Sequence, residues 1–199
     1  MNEERTAPAI RIDMDATHLA TEPTKGTRMH PLPPPSVRLF VCGTAERGDD
    51  GAALSAVATL LPVLPSALLE RLEVRRCGHL RAEDILGMPA GEIAVVIDAA
   101  TGVPPGHVVA LPIRTLGDTS GGPMPRSFLE SGLEATFAAA HAETPDAMPE
   151  GIFIGIGGRR FGYGRPLSRS VRLAMASFQR VIAAELARVA NVPETPASS

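Results

Sequence analysis

Short apolar runs alternate with helix-like segments along the middle of the chain. The runs are rich in β-branched and aromatic residues, which favour strands. Ile93–Asp98 is apolar up to its last residue, as is typical of a central parallel strand that is covered on both faces. The predicted strands are Val37–Cys42, Leu72–Cys77, Ile93–Asp98, His107–Leu111 and Gly151–Ile156.

The segments between these strands have the spacing of helices with one apolar face. Ser168 can cap the last of them, a long helix with apolar residues near one stripe. The other predicted helices are Gly51–Leu61, Arg81–Leu86 and Ser127–Ala142. Alternation of strands and helices predicts an α/β fold, a three-layer sandwich with a mostly parallel sheet.

The two ends of the chain lack this pattern. Residues 1–35 include TEPTKGTRMHPLPPP, in which no apolar period develops. Burial there cannot offset the entropy lost on ordering, so we predict a disordered, proline-rich extension. Early charges and the lack of a continuous apolar segment argue against a signal peptide. We therefore expect one domain over residues 36–190 and a disordered tail over residues 191–199.

Charge and composition narrow the classes of partner. The 199 residues carry a formal net charge of −3, whereas binding to nucleic acid or to an anionic membrane needs a concentrated basic face. No apolar run approaches the roughly 20 residues of a membrane-spanning helix. Two cysteines are too few for a disulfide scaffold. These features predict a cytoplasmic protein that binds neither nucleic acid nor membranes.

The loop after the first strand, GTAERGDDG, carries two aspartates, Asp49 and Asp50. A Walker loop would place lysine and serine or threonine there, and a dinucleotide site would need the spacing GxGxxG. Two carboxylates repel phosphate and attract a cation. One of them can instead cap the helix that follows, which leaves the other for a ligand.

A third acid, Asp98, ends the apolar run Ile93–Asp98. The carboxyl ends of parallel strands share one edge of the sheet, where ligands bind at the switch in strand order. If the two strands are neighbours, Asp50 and Asp98 face one cleft, and together they favour a cation site. The alternative for Asp98 alone is a carboxylate that holds its own loop.

Three segments, FVCGTAERGDDG, VVIDAATGVPPGHV and FIGIGGRRFGYGRPLSRSV, occur in this order between Val37 and Ala190. In this order and spacing they resemble the hydrogenase maturation endopeptidases, which trim the C-terminus of the [NiFe]-hydrogenase large subunit. The resemblance implies a phosphorylase- or hydrolase-like α/β fold. It also implies a metal-dependent endopeptidase that acts on the large-subunit precursor and recognises nickel already inserted in that substrate.

Carried over to this chain, the resemblance makes Asp50 and Asp98 the catalytic carboxylates that contact the metal, and Asp49 the loop acid before them. The family's third ligand, a histidine, has no counterpart, because no histidine occurs from Gly117 through Ala140. We expect His79, which follows the second strand, to reach the same sheet edge and to replace that ligand. An ordinary surface histidine is the alternative.

Two functions remain open from the sequence. The retained acids favour an active endopeptidase, whereas the missing histidine favours a cleavage-deficient accessory protein that binds a large subunit or its precursor. Cys42 and Cys77 each precede a glycine at a strand end and are expected to be buried free thiols, with two soft metal ligands as the alternative. Arg159 and Arg160 are expected on a solvated loop, or else to hold a substrate carboxylate.

Overall fold

A computed structural model describes residues 37–117 and 149–191 of the chain. Its strands are β1 (Val37–Cys42), β2 (Leu72–Cys77), β3 (Ile93–Ala100), β4 (Val108–Pro112) and β5 (Gly151–Gly157). Its α-helices are α1 (Ala52–Leu60), α2 (Ser66–Leu69), α3 (Ala82–Leu86) and α4 (Arg169–Val189), and 3-10 turns cover Gly48–Gly51, Leu61–Val63 and Ile113–Gly117.

The five strands form one sheet in the order β2-β1-β3-β5-β4. The pairs β1–β2, β1–β3 and β3–β5 are parallel, and β4 runs antiparallel to β5 at one edge. The predicted mostly parallel α/β sheet is therefore confirmed. From β1 the chain goes first to β2 on one side and then to β3 on the other. This places the switch in strand order, the usual position of a ligand site, at the carboxyl ends of β1 and β3.

Two apolar clusters cover the two faces of the sheet. On one face, Leu39 and Val41 pack with buried residues of α1 and α4. On the other, Phe40 and Cys42 pack with Ile85 of α3. Every residue of β1 is buried, as expected of a strand that lies between two covering layers. The three-layer arrangement follows from this two-sided burial.

Most predicted boundaries lie within two residues of the observed ones. β3 continues past Asp98 to Ala100, and the first helix begins with the 3-10 turn Gly48–Gly51. Ser168 caps α4 as predicted, because its hydroxyl accepts a hydrogen bond from the Val171 N–H at 3.5 Å. The helix predicted over Ser127–Ala142 lies outside the described residues. So do the extension predicted over residues 1–35 and residues 192–199 of the predicted tail.

Membrane insertion can be judged for the part of the chain that the structure covers. Within residues 37–117 and 149–191, no helix combines the length and the apolar character that crossing a bilayer requires. The longest helix, α4, has 21 residues. Its sequence alternates charged and apolar positions, with Val171, Phe178, Ile182 and Leu186 buried against the sheet.

Candidate functional site

Asp49 is a buried carboxylate that joins two distant loops. Its Oδ2 accepts hydrogen bonds from the backbone N–H groups of Arg159 at 2.9 Å and Arg160 at 3.0 Å. Its Oδ1 accepts one from the Ser168 N–H at 2.5 Å. The Asp49 N–H donates in return to the Arg160 carbonyl at 2.7 Å. The loop after β1 is thereby fixed to the segment between β5 and α4.

The ionised form of Asp49 is favoured by these contacts. Burial by itself raises the pKa of Asp49, but the N–H groups of Arg159, Ser168 and Arg160 outweigh burial and hold that pKa below its ordinary value. Neither Asp49 nor Asp50 makes a side-chain cap to α1 or its preceding turn. The alternative that one of them caps the helix that follows is therefore wrong, and Asp49 instead contacts the start of α4 through the Ser168 N–H.

Two glycines make the approach of these loops possible. Gly43 has φ +103°, and a Cβ there would lie 2.0 Å from the Asp50 carbonyl oxygen. Gly48 has φ +62°, and a Cβ there would lie 2.4 Å from the Arg160 carbonyl oxygen. Residues other than glycine rarely adopt such φ values, and neither position has room for a side chain. The glycines of GTAERGDDG thus serve backbone packing.

Asp50 is oriented differently from its neighbour. Its Oδ2 accepts a hydrogen bond from the Thr44 N–H at 2.9 Å and lies 3.9 Å from Nη1 of Arg47. The side chain is 17% exposed, so solvent or a ligand can reach it. The Arg47 guanidinium also lies 5.4 Å from the ring centroid of Tyr163. Asp50 is therefore held at the rim of the sheet, whereas Asp49 is enclosed.

Asp98 lies within β3, opposite Gly155 of β5. Its Oδ1 accepts a hydrogen bond from the Ala99 N–H at 2.7 Å. Burial, together with the negative charge of Asp50, raises the pKa of Asp98 to about 7, although the Ala99 N–H acts in the opposite direction. Near neutral pH, Asp98 therefore exchanges a proton readily. Because β3 pairs with β1, Asp98 lies on the strand next to the one that leads into the loop of Asp50.

Two cysteines accompany these acids. Cys42 is the last residue of β1 and is the register partner of Cys77, the last residue of β2. Both cysteines are free thiols, as predicted; Cys42 is buried and Cys77 is half-buried. The hydrogen bond with Cys77, burial and the charges of Asp98 and Asp50 all raise the pKa of Cys42 well above its ordinary value. Cys77 and Cys42 end β2 and β1, and Asp98 lies two residues before the end of the next strand, β3.

His79, the histidine expected to complete a metal site with Asp50 and Asp98, is placed near the loop of Asp50 only through its neighbour in the chain. The Gly43 N–H donates to the Gly78 carbonyl at 3.2 Å, which brings the residue before His79 to the loop of Asp50. His79 itself is exposed. Among residues 37–117 and 149–191, no three His, Cys, Asp or Glu side chains form a group that could hold a metal ion. Metal binding by Asp50, Asp98 and His79 stays a prediction.

A cavity of about 590 Å³ opens on the other side of the same loop. Two exposed arginines, Arg76 and Arg165, are among its lining residues. Neither Asp50 nor Asp98 lies in its wall. The remaining lining residues come from the loop after β1, from α1, from the end of β2 and from the segment before α4: Gly43, Ala45, Gly48, Gly51, Leu54, Ser55, Ala58, Cys77, Gly78, Pro166 and Leu167.

Comparison with known proteins gives matches in structure. The hydrogenase maturating endopeptidase HybD from E. coli superposes with a TM-score of 0.57 at 16% identity, covering 76% of this chain and 92% of that one. The [NiFe] hydrogenase maturation protease HybD from Thermococcus kodakarensis has a TM-score of 0.50 at 20% identity, covering 73% and 95%. The fold is that of the hydrogenase maturation proteases.

The match at the level of fold has no counterpart at the level of sequence. No family model and no curated protein matches this chain. In structure, an endopeptidase from Escherichia coli also superposes on this chain, with a TM-score of 0.53 at 17% identity, covering 76% of this chain and 93% of that one. The resemblance that the three sequence segments indicated is confirmed for the fold.

One functional feature escaped the sequence analysis. The backbone N–H groups of Arg159 and Arg160 hold Asp49, whereas their side chains are exposed. The solvated loop was predicted, but nothing in GGRRFGYG identifies its backbone as a partner of a loop more than a hundred residues earlier. The glycines on either side, Gly48 and Gly158, were the available signal, because they allow close backbone approach.

Asp49→Asn is expected to destabilise the protein by about 3 kcal/mol, because it removes the buried charge that three backbone N–H groups face. The free energy of unfolding from urea denaturation measures this loss. Asp50→Asn is the matched control. Its amide oxygen can still accept from the Thr44 N–H and its site is partly exposed, so we expect a change within about 1 kcal/mol. Equal losses in the two variants would contradict the distinction.

Asp98→Asn is expected to change how stability depends on pH. The pKa of Asp98 rises from an ordinary 3.8 to about 7 on folding, so between these values the folded state binds more protons than the unfolded state. Asp98 ionisation therefore lowers stability as pH rises through this window. The stability of the variant relative to the wild type should rise from about pH 4 to about pH 7 and then level off, with a total gain of roughly 4 kcal/mol. A pH-independent difference in the free energy of unfolding would refute this expectation.

Proposed function

We propose that this protein is a metal-dependent endopeptidase that acts in the cytoplasm. Its substrate is a nickel-loaded [NiFe]-hydrogenase large-subunit precursor, from which it removes a C-terminal extension. The observation that supports the proposal is the position of Asp98 on β3, the strand next to β1, where burial and the charge of Asp50 raise the pKa of Asp98 to about 7. Support also comes from the fold, since two solved proteins that share it are hydrogenase maturation proteases.

The donor set suits a divalent ion carried by the substrate. Asp50 and Asp98 supply carboxylate oxygens, which bind divalent cations well. A cation between them would relieve the repulsion that favours the protonated form of Asp98. A bound ion supplies Lewis acidity toward the scissile carbonyl or toward water. In this proposal nickel belongs to the precursor, so its presence reports that insertion is complete.

The protein's own contribution is to position the substrate and to move a proton. A carboxyl group with a pKa near 7, such as that of Asp98, is matched to accepting a proton from water at neutral pH. Asp50 is fixed by the Thr44 N–H and reaches solvent, so it can meet an incoming substrate. We assign the substrate's extension to the cavity beside the Gly43–Gly51 loop, because that loop also carries Asp50.

Asp98→Asn is expected to reduce processing of a nickel-loaded precursor by roughly 100-fold or more, because it removes a proton acceptor and a charge at the reacting edge. Cleavage by the purified variant is followed by intact mass of the large subunit. Glu83→Gln, which neutralises an exposed carboxylate on α3, is the control and should cleave normally. Unchanged processing by Asp98→Asn would reject the assignment.

The wild-type protein provides a second test of the proposed function in the same assay. If it binds the precursor without cleaving it, the protein is the accessory factor that the sequence left as the alternative. If it neither binds nor cleaves, the proposed substrate is wrong. Binding is measured with the nickel-loaded and the nickel-free precursor, because recognition of the metal predicts tighter binding of the loaded form.

His79→Ala is expected to weaken nickel-dependent binding or cleavage by about 10- to 100-fold, the range seen when metal sites are disturbed. We propose His79 as the third ligand because its chain neighbour Gly78 is hydrogen-bonded to Gly43 at the start of the site loop. His107→Ala is the control, since His107 precedes β4 and is separated from β1 by two strands. Equal effects of the two substitutions would rule out the ligand role.

A further inference from the structure

Cys42 and Cys77 are placed as a reactive pair. They are register partners at the ends of neighbouring parallel strands, and their sulfur atoms lie 3.3 Å apart. Both contribute to the apolar cluster on the α3 side of the sheet, so their side chains leave the sheet on the same face. The two thiols are therefore in contact without any rearrangement of the backbone.

The backbone geometry is compatible with a bond between them. Neighbouring strands lie about 4.8 Å apart, within the range of roughly 4.4–6.8 Å that disulfides span between Cα atoms. The Gly43 N–H also bonds the Gly78 carbonyl at 3.2 Å, so the residues immediately after both cysteines are already joined. Only side-chain rotation is needed to bring the sulfurs into bonding distance.

Access to the pair is asymmetric. Cys77 is half-buried. Cys42 is only 2% exposed. Because Cys77 is the more exposed thiol of the two, a reagent in solution reaches it before it reaches Cys42. This arrangement separates an attacking thiol from a resolving thiol.

We propose that Cys42 and Cys77 form a redox-active dithiol that is oxidised reversibly by a low-molecular-weight disulfide. The Cys77 thiolate attacks one sulfur of the reagent, forms a mixed disulfide and releases the first small thiolate. The Cys42 thiolate then attacks Sγ of Cys77, forms the Cys42–Cys77 bond and releases the second. The two protons lost by the cysteines end on the two released thiols. The protein gives up two electrons, and the reagent is reduced to two thiols.

The disulfide would link two strand ends beside the candidate site. It would join the last residues of β1 and β2, immediately before Gly43 and Gly78. These two glycines belong to the cavity wall, and Gly43 begins the loop that carries Asp50. The disulfide thus constrains the strand ends that support the candidate site, while the proposal itself requires no peptidase activity.

The experiment treats the folded full-length protein with oxidised glutathione. Acid-quenched samples are denatured, and free thiols and intact mass are measured. The wild type should lose both thiols together and two hydrogens in mass, keep no glutathione, and recover on reduction with dithiothreitol. Oxidation should raise the melting temperature by roughly 5 °C or more. Retention of both thiols, or a stable glutathione adduct as the end product, would overturn the proposal.

Two variants identify the order of attack. Cys42→Ala leaves Cys77 without a partner, so it should stop at one bound glutathione and show no rise in melting temperature from a cross-link. Cys77→Ser leaves the buried Cys42, which should react with glutathione at least about 10-fold more slowly than Cys77 does. Equal reaction rates of the two remaining thiols would overturn the assigned roles. The wild-type thiol count decides the pair itself even if a variant does not fold.

Discussion

The carboxylate of Asp49 is the contact on which the arrangement of the site depends. It accepts hydrogen bonds from three backbone N–H groups that belong to the segment between β5 and α4. That segment lies far away in sequence and adjacent in space. By closing it against the loop after β1, Asp49 fixes the next residue, Asp50, at the rim of the sheet. The start of α4 receives a negative charge at its positive end, which adds to the stability of the contact.

Two aspartates, Asp49 and Asp98, differ in protonation behaviour because their surroundings differ. Backbone N–H groups outweigh burial at Asp49 and hold its pKa low. At Asp98, burial and the charge of Asp50 outweigh a single N–H group and raise the pKa to about 7. The residue type is the same, but the number of donors around each carboxylate differs. One acid therefore supports the fold, while another is matched to proton transfer near neutral pH.

Much of this fold could be predicted from local sequence. Val37–Cys42 is apolar except for Arg38, and Ile93–Asp98 is apolar up to its last residue, because both strands are covered on both faces of the sheet. The position of Asp98 at the carboxyl edge followed from the same pattern. The antiparallel direction of β4 could not be predicted in this way, since strand direction depends on pairing with β5 and leaves no mark on local periodicity.

The finer features of the site depend on contacts across the chain. Asp49 and Asp50 are adjacent and identical, so only the distant N–H groups of Arg159, Arg160 and Ser168 distinguish their roles. The contact between Cys42 and Cys77 likewise depends on the register of β1 with β2, which the two isolated strand sequences do not specify. The sequence predicted the chemistry available at the edge, and tertiary contacts decide how it is divided among residues.

The most direct measurement of this division is a carbon-13 NMR titration of the aspartate carboxyl groups in the folded protein. Asp98 is predicted to titrate near pH 7 and Asp49 below its ordinary value of 3.8. In Asp50→Asn, the pKa of Asp98 should fall, because one cause of its elevation is the charge of Asp50, while Asp49 should be unaffected. An Asp98 that titrates near 3.8, or that does not respond to Asp50→Asn, would contradict a shared site.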